Sequence, residues 1–407
     1  MLARRSVRPG FWLVFWREIG WLRRRPFLFG LTTIVPIAQM AFLAAIFSAG
    51  LATRLPIAVL DLDGSDLSRS IIRMVDATPD TAVAVRVGDL AEGRGLILSG
   101  KVHGLLMLPQ NLQRDVFAGR RPEVVFFYNT QTLTIGNLTV RGVNAAIPTA
   151  AAGIRLSLRS EQGEPLELAQ ADLQPIPVQT HALFNPTLNY VYFLLTALLP
   201  SVLQVIMVMT GAYSVGLDVE APHRLRILRA LGGGLWPAMA GKILPYTILF
   251  MLVLGLADTL LIAVFGLPLH GHAWLLIIAG LLFVVSCLLF GAFLAVVLKS
   301  TASAVSIGTL LTAPAFGFMG IGFPRLGMSA FAYDWGALLP GTWYLIARVD
   351  QTVRGTPVDL SWKPILVLVA FTIGLAGLVA WRLEANRAAA RRTSAPVRPQ
   401  VSGEAYP

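Results

Sequence analysis

The chain has 407 residues, of which 55% are hydrophobic and only 14% charged. A soluble domain carries roughly a quarter charged residues to cover its surface, so lipid covers much of this chain instead. A single cysteine, Cys287, excludes a disulfide framework and a cysteine-rich zinc site, and the net charge of +11 sits beside apolar runs instead of forming a nucleic-acid-binding stripe.

Residues 1–26 carry seven arginines and one glutamate. Within them Trp12, Phe15, Trp16, Ile19 and Leu22 recur at helical spacing. That pattern predicts an amphipathic helix in the membrane interface, with its arginines toward anionic headgroups. Residues 27–49 then form an apolar run long enough to cross a hydrocarbon core of about 30 Å and too long for the core of a cleaved signal peptide.

The character changes over residues 50–187, where twelve basic groups balance thirteen acidic ones. Leu55-Pro-Ile-Ala-Val-Leu-Asp, Val102-His-Gly-Leu-Leu-Met-Leu-Pro and Pro122-Glu-Val-Val-Phe-Phe-Tyr read as strands. Ser65 to Ala77 and Thr132 to Ser160 read as helices. The expectation is an α/β domain of ordinary size, inserted between the first and second spans and lying outside the cytoplasm.

Residues 188–385 read as a five-helix bundle, with spans at 188–215, 239–265, 273–298, 303–322 and 364–381. Basic residues cluster at the N-terminus, in the 216–238 loop and after Arg382. The positive-inside bias therefore places both termini and that loop in the cytoplasm, and the fold class is an α-helical integral membrane protein with six transmembrane helices. Residues 331–347 are too short and too broken to span, which predicts a re-entrant or interfacial segment. The tail 386–407, rich in Ala, Arg, Ser and Pro, is expected to be disordered.

No catalytic constellation, cofactor motif or metal cluster emerges. His270 and His272 stand close in a Gly-rich loop, but structural metal sites need more ligands. A phosphate loop ending at Gly241-Lys242 would need Gly where Trp236 stands and Ser or Thr where Ile243 stands. Any ATP-driven work therefore requires another subunit, and this chain is expected not to be an enzyme. Asp258 lies within the third span, where a carboxylate costs about 2.5–3.5 kcal/mol on insertion scales, and Gln204 lies in the second. Both fit either the lining of a transport path or interhelical hydrogen bonds. The 217–232 loop carries Asp218, Glu220, Arg224, Leu225, Arg226, Leu228 and Arg229 on an amphipathic helix. It reads either as plain positive-inside charge or as a docking surface, with Leu225 and Leu228 expected in the apolar floor of a partner's groove.

Several segments together resemble the permease subunit of ABC-2 type transporters, in the branch with a large periplasmic domain between the first and second transmembrane helices. They are Ile57-Ala-Val-Leu-Asp-Leu-Asp with Ser68-Arg, Gly104-Leu-Leu-Met-Leu-Pro, Phe184-Asn-Pro, Gly241-Lys-Ile-Leu-Pro-Tyr, and Leu339-Pro-Gly-Thr-Trp-Tyr-Leu with Arg354-Gly. Each is loose alone, but their order over residues 11–385 is specific. The resemblance implies the type V exporter fold and a bacterial inner-membrane location. It also implies a dimer with a second copy or a paralogous permease, and a cytoplasmic ATP-binding-cassette ATPase docked on the loop after the second span. Export of a drug, lipid or polysaccharide follows, sometimes with a periplasmic adaptor and an outer-membrane channel. One departure stands out: the family loop's Gly-Thr-x-Glu core is absent, since His223, Arg224, Leu225 and Arg226 occupy its place. The competing reading is a non-transporting membrane scaffold whose periplasmic domain binds envelope proteins.

Overall fold

The structure, a computed structural model, describes residues 8–48, 52–130, 133–161, 184–185, 189 and 191–393. The chain divides into two compact units, Leu51–His181 and the remainder.

Among its described residues the smaller unit holds four strands, β1 (Leu55–Asp61), β2 (Thr81–Arg86), β3 (Gly104–Leu108) and β4 (Val125–Tyr128), in the order β2-β1-β3-β4. β1 pairs in parallel with β2 and β3, and β4 runs antiparallel to β3. Period-two alternation explains the layers. Ile57, Val59, Leu106 and Leu108 face the helices Asp66–Asp76 and Leu133–Glu161, whereas Ala58, Leu60 and Leu105 face Leu96 and Ile97 of helix Leu90–Leu98. Ser65 caps the first of these helices, its hydroxyl accepting from the Ser68 amide at 3.1 Å. Arg141 on the long helix grips Asp80 with two hydrogen bonds of 2.7 and 2.6 Å, which raise the arginine pKa and pin the helix beside β2. β2 and helix Leu90–Leu98 were not foreseen in the sequence. β2 is an edge strand whose outer half is exposed, so its apolar alternation is short and weak.

Among the described residues the larger unit contains six helices long and apolar enough to cross a membrane: Pro26–Ile46, Val191–Val219, Leu235–Val264, Ala273–Leu298, Thr301–Phe318 and Trp362–Ala388. These are spans one to six. The fifth ends earlier than expected because its helix breaks after Thr312, and Pro314 caps a last short turn. The final helix continues to Thr393, past residue 386 where disorder was expected, and 394–407 lie outside the described residues. The amphipathic N-terminal helix, Phe11–Arg24, is separate from the first span and kinks into it at Arg25-Pro26.

Spans two and four form the most buried pair. Glycines let their backbones touch: a Cβ on Gly211 would fall 2.1 Å from the Leu288 carbonyl oxygen, and one on Gly291 would fall 2.1 Å from that of Val208. Small residues at a crossing are the membrane solution to tight helix packing, because lipid offers no hydrophobic drive between helices. Between spans five and six, residues 331–347 fold into two short helices, Ala330–Ala337 and Pro340–Val349. The second, the wedge helix below, packs among spans two, four and six, with Tyr344 buried and stacked on Phe283 at 4.5 Å.

Candidate functional site

At one end of the bundle three elements meet around a buried cluster of charges. Glu18 lies on the inward face of the N-terminal helix, Asp218 at the end of span two and Lys242 near the start of span three; all three side chains are essentially inaccessible. Lys242 Nζ sits 3.1 Å from Glu18 Oε2 and 2.8 Å from Asp218 Oδ2. Arg17 closes the ring, 3.1 Å from Glu18 and 2.9 Å from Asp218, and the Tyr246 hydroxyl donates to Glu18 at 3.2 Å. Two cations face two carboxylates, so the charges balance in a cluster closed to solvent except at Arg17. Trp21 lies alongside, its ring 4.2 Å from the Arg17 guanidinium and 5.4 Å from Lys242 Nζ.

The Gly241-Lys242 pair has a local reason. A Cβ on Gly241 would fall 2.6 Å from the Phe11 carbonyl oxygen, so only glycine lets the N-terminal helix approach closely enough for Glu18 to reach Lys242. Glu18, Arg17 and Lys242 were missed as site residues in the sequence. Their signals were slight: Glu18 is the lone acid among seven arginines, and Lys242 is a lysine inside an apolar run.

The loop between spans two and three folds as the expected helix, Pro222–Gly232, with Pro222 in its first turn and Gly233 ending it at φ 71°. The candidate residues divide by direction. Asp218 belongs to the charge cluster, the Glu220 carboxylate accepts from the Thr301 amide at the start of span five, and Arg229 pairs with Glu384 of the last helix at 2.7 Å. Leu228 differs from expectation: it is only 1% exposed and packs against Val14 and Ala238, so it is part of this chain's own core. Arg224 and Leu225 are half-buried. The outward face consists of His223, Arg226, Ile227 and Ala230, with Ile227 50% exposed. Periodicity identifies an amphipathic helix, but the apolar face it singles out was taken up by the N-terminal helix and not left for a partner.

The two candidates for a transport path, Gln204 and Asp258, converge on the wedge helix. Gln204 is fully buried, and its Oε1 accepts from the Gly341 amide at 2.7 Å, satisfying an amide in the wedge helix's first turn. Asp258 forms an ion pair with Arg348 near the other end, and Arg348 donates to the Tyr344 hydroxyl at 2.8 Å. Arg348 is only 1% exposed, whereas the Asp258 side chain is 20% exposed. Beyond Arg348, Gln351 accepts from the His272 amide at 2.8 Å and fixes the loop after span three. Arg348 was not foreseen, because in sequence it stands in a broken aromatic segment with no partner in view.

Six spans among the described residues, a loop helix tied by an ion pair to the last helix and an inserted α/β unit define a multi-pass membrane protein of the transporter-subunit kind. The family model for ABC-2 family transporter proteins matches residues 26–381, and the chain belongs to that family as a permease subunit, which implies partnership with ABC ATPase subunits. The chain is similar to the inner membrane transport permease YhhJ of Escherichia coli (strain K12), 23% identical over 369 residues that cover 86% of this chain and 92% of the relative. The Shigella flexneri protein of the same name matches to the same extent.

Proposed function

We propose that this subunit belongs to an ATP-driven exporter of a bacterial inner membrane, working as a dimer with a second copy or a paralogous permease. A cytoplasmic ATPase docks on the outward face of the loop helix Pro222–Gly232. The α/β unit lies in the periplasm, where an adaptor leading to an outer-membrane channel has access to it. The substrate is hydrophobic or amphipathic, a drug, lipid or polysaccharide. One observation carries this reading: the loop helix is joined to the N-terminal helix and the last helix, and it connects the two spans that flank it. It packs on the N-terminal helix through Leu228, and Arg229 holds the last helix. The balanced charge cluster joins the ends of the spans on either side of the loop. A push on the outward face is therefore transmitted as displacement of several spans together.

The test is Ile227→Asp, at an exposed position whose change spares the internal core. Loss of an apolar interface anchor commonly costs more than about 1 kcal/mol, so co-purified ATPase should fall roughly fivefold or more and transport should fail. Arg226→Ala should weaken co-purification mildly, with a smaller difference from wild type as salt rises, since exposed charges are screened. Undiminished ATPase co-purification with Ile227→Asp removes the loop helix as the docking site.

A further inference from the structure

A groove of about 270 Å³ runs between the N-terminal helix and span three, lined by Phe15, Ile19, Leu22, Arg23, Pro245 and Leu249 together with Phe29, Ile248 and Leu252. Two helical stripes make it: 15, 19 and 22 on one side, and 245, 248, 249 and 252 on the other, each at the spacing of one helix face. From Pro245 to Leu252 the span advances roughly 10 Å, at about 1.5 Å per residue, which is a large part of one leaflet's hydrocarbon depth. The walls are apolar and open outward, with Phe29 43%, Ile248 45% and Leu252 65% exposed. The groove is smaller than the roughly 300–1,000 Å³ of sites that enclose a drug-sized ligand whole, and its form suits a chain lying along it.

The single charged residue of the lining is Arg23, itself exposed and next in the chain to exposed Arg24. Arg23 has no acidic partner among the described residues, whereas Arg17, Lys242, Arg229 and Arg348 are all paired. We propose that this groove is a binding site for one anionic phospholipid of the leaflet at that end of the bundle. An acyl chain lies between the two stripes, and the phosphate accepts hydrogen bonds from Arg23. Charge complementarity selects the occupant: an apolar slot with a free guanidinium at its mouth matches a chain with an anionic head. The lipid packs on the same helix that carries Glu18, and so braces the helix against span three. The inference is independent of the direction of transport and of the ATPase contact.

Delipidated protein in detergent is given phosphatidylglycerol or phosphatidylcholine with identical chains, and retained lipid is read by native mass spectrometry. Phosphatidylglycerol should be retained about tenfold more tightly, because both phosphates can accept from Arg23 but the choline cation of phosphatidylcholine offsets that attraction and is repelled by the guanidinium. Arg23→Gln should abolish that preference while leaving chain binding. Ile248→Trp, which fills the slot from an exposed position, should remove both lipids, and Leu366→Trp on the exposed face of span six should remove neither. Equal retention of the two lipids by the wild type, or an undiminished preference in Arg23→Gln, overturns the proposal. So does efficient cross-linking of Ile248→Cys between two copies in native membranes, which would make a second copy the occupant.

Discussion

Glu18 and Asp258 are both carboxylates in apolar surroundings, yet each is held by a cation from a distant part of the chain, Lys242 in one case and Arg348 in the other. That long-range pairing is why neither partner could be read from local sequence. Asp258 and Gln204 stood out in the sequence as candidates for a transport path; in the fold both hold the wedge helix. A structural role and a path role make different predictions. Asp258→Ala leaves Arg348 buried without its counter-charge, so thermal unfolding in detergent should show a loss of roughly 3–5 kcal/mol. Adding Arg348→Met removes the orphaned charge and should recover most of that loss. A double variant as unstable as the single would mean the ion pair is not what holds this end of the helix. If the double variant is stable but does not transport, Asp258 also serves the path.

At the scale of elements, helix existence was legible because spans and amphipathic helices carry their pattern in every turn. The first four spans run Pro26–Ile46, Val191–Val219, Leu235–Val264 and Ala273–Leu298, and the α/β unit runs Leu51–His181. Legibility failed where tertiary context decides: β2 is a short edge strand, span five breaks at Pro314, and the wedge helix is buried among spans despite its polar residues. The packing of spans two and four was equally hidden, since glycines in a membrane helix are common and only their reciprocal approach gives them a purpose. Gly211→Ala or Gly291→Ala would place a Cβ against backbone carbonyl oxygen, which no rotamer can relieve. Each should destabilise the bundle by roughly 1–3 kcal/mol, seen as lower yield and lower unfolding temperature. Gly374→Ala in span six is the control, because a Cβ there meets nothing within 4 Å. If Gly211→Ala behaves like Gly374→Ala, the close crossing of spans two and four is wrong.

For the whole molecule, charge decides which end of the bundle is proposed to face the cytoplasm. The N-terminal 26 residues carry seven arginines against one glutamate, whereas residues 50–187 are close to neutral. Orientation follows the basic flanks of the spans, which supports the proposal that the N-terminal helix lies inside. The loop helix packs directly on that helix, through Val14 and Leu228, and must lie on the same side. On that proposal the α/β unit, which follows the first span, emerges outside, as does the segment containing Leu326 between spans five and six. The chain's only cysteine, Cys287, is fully buried, so single introduced cysteines report cleanly. Leu98→Cys and Leu326→Cys, at positions 77% and 100% exposed, should react with a membrane-impermeant maleimide in intact spheroplasts. Ala230→Cys, on the outward face of the loop helix, should react only after the membrane is opened. Labelling of Ala230→Cys from outside would invert the topology, put the loop helix beyond reach of any ATPase and remove the proposed route by which ATP hydrolysis moves the spans.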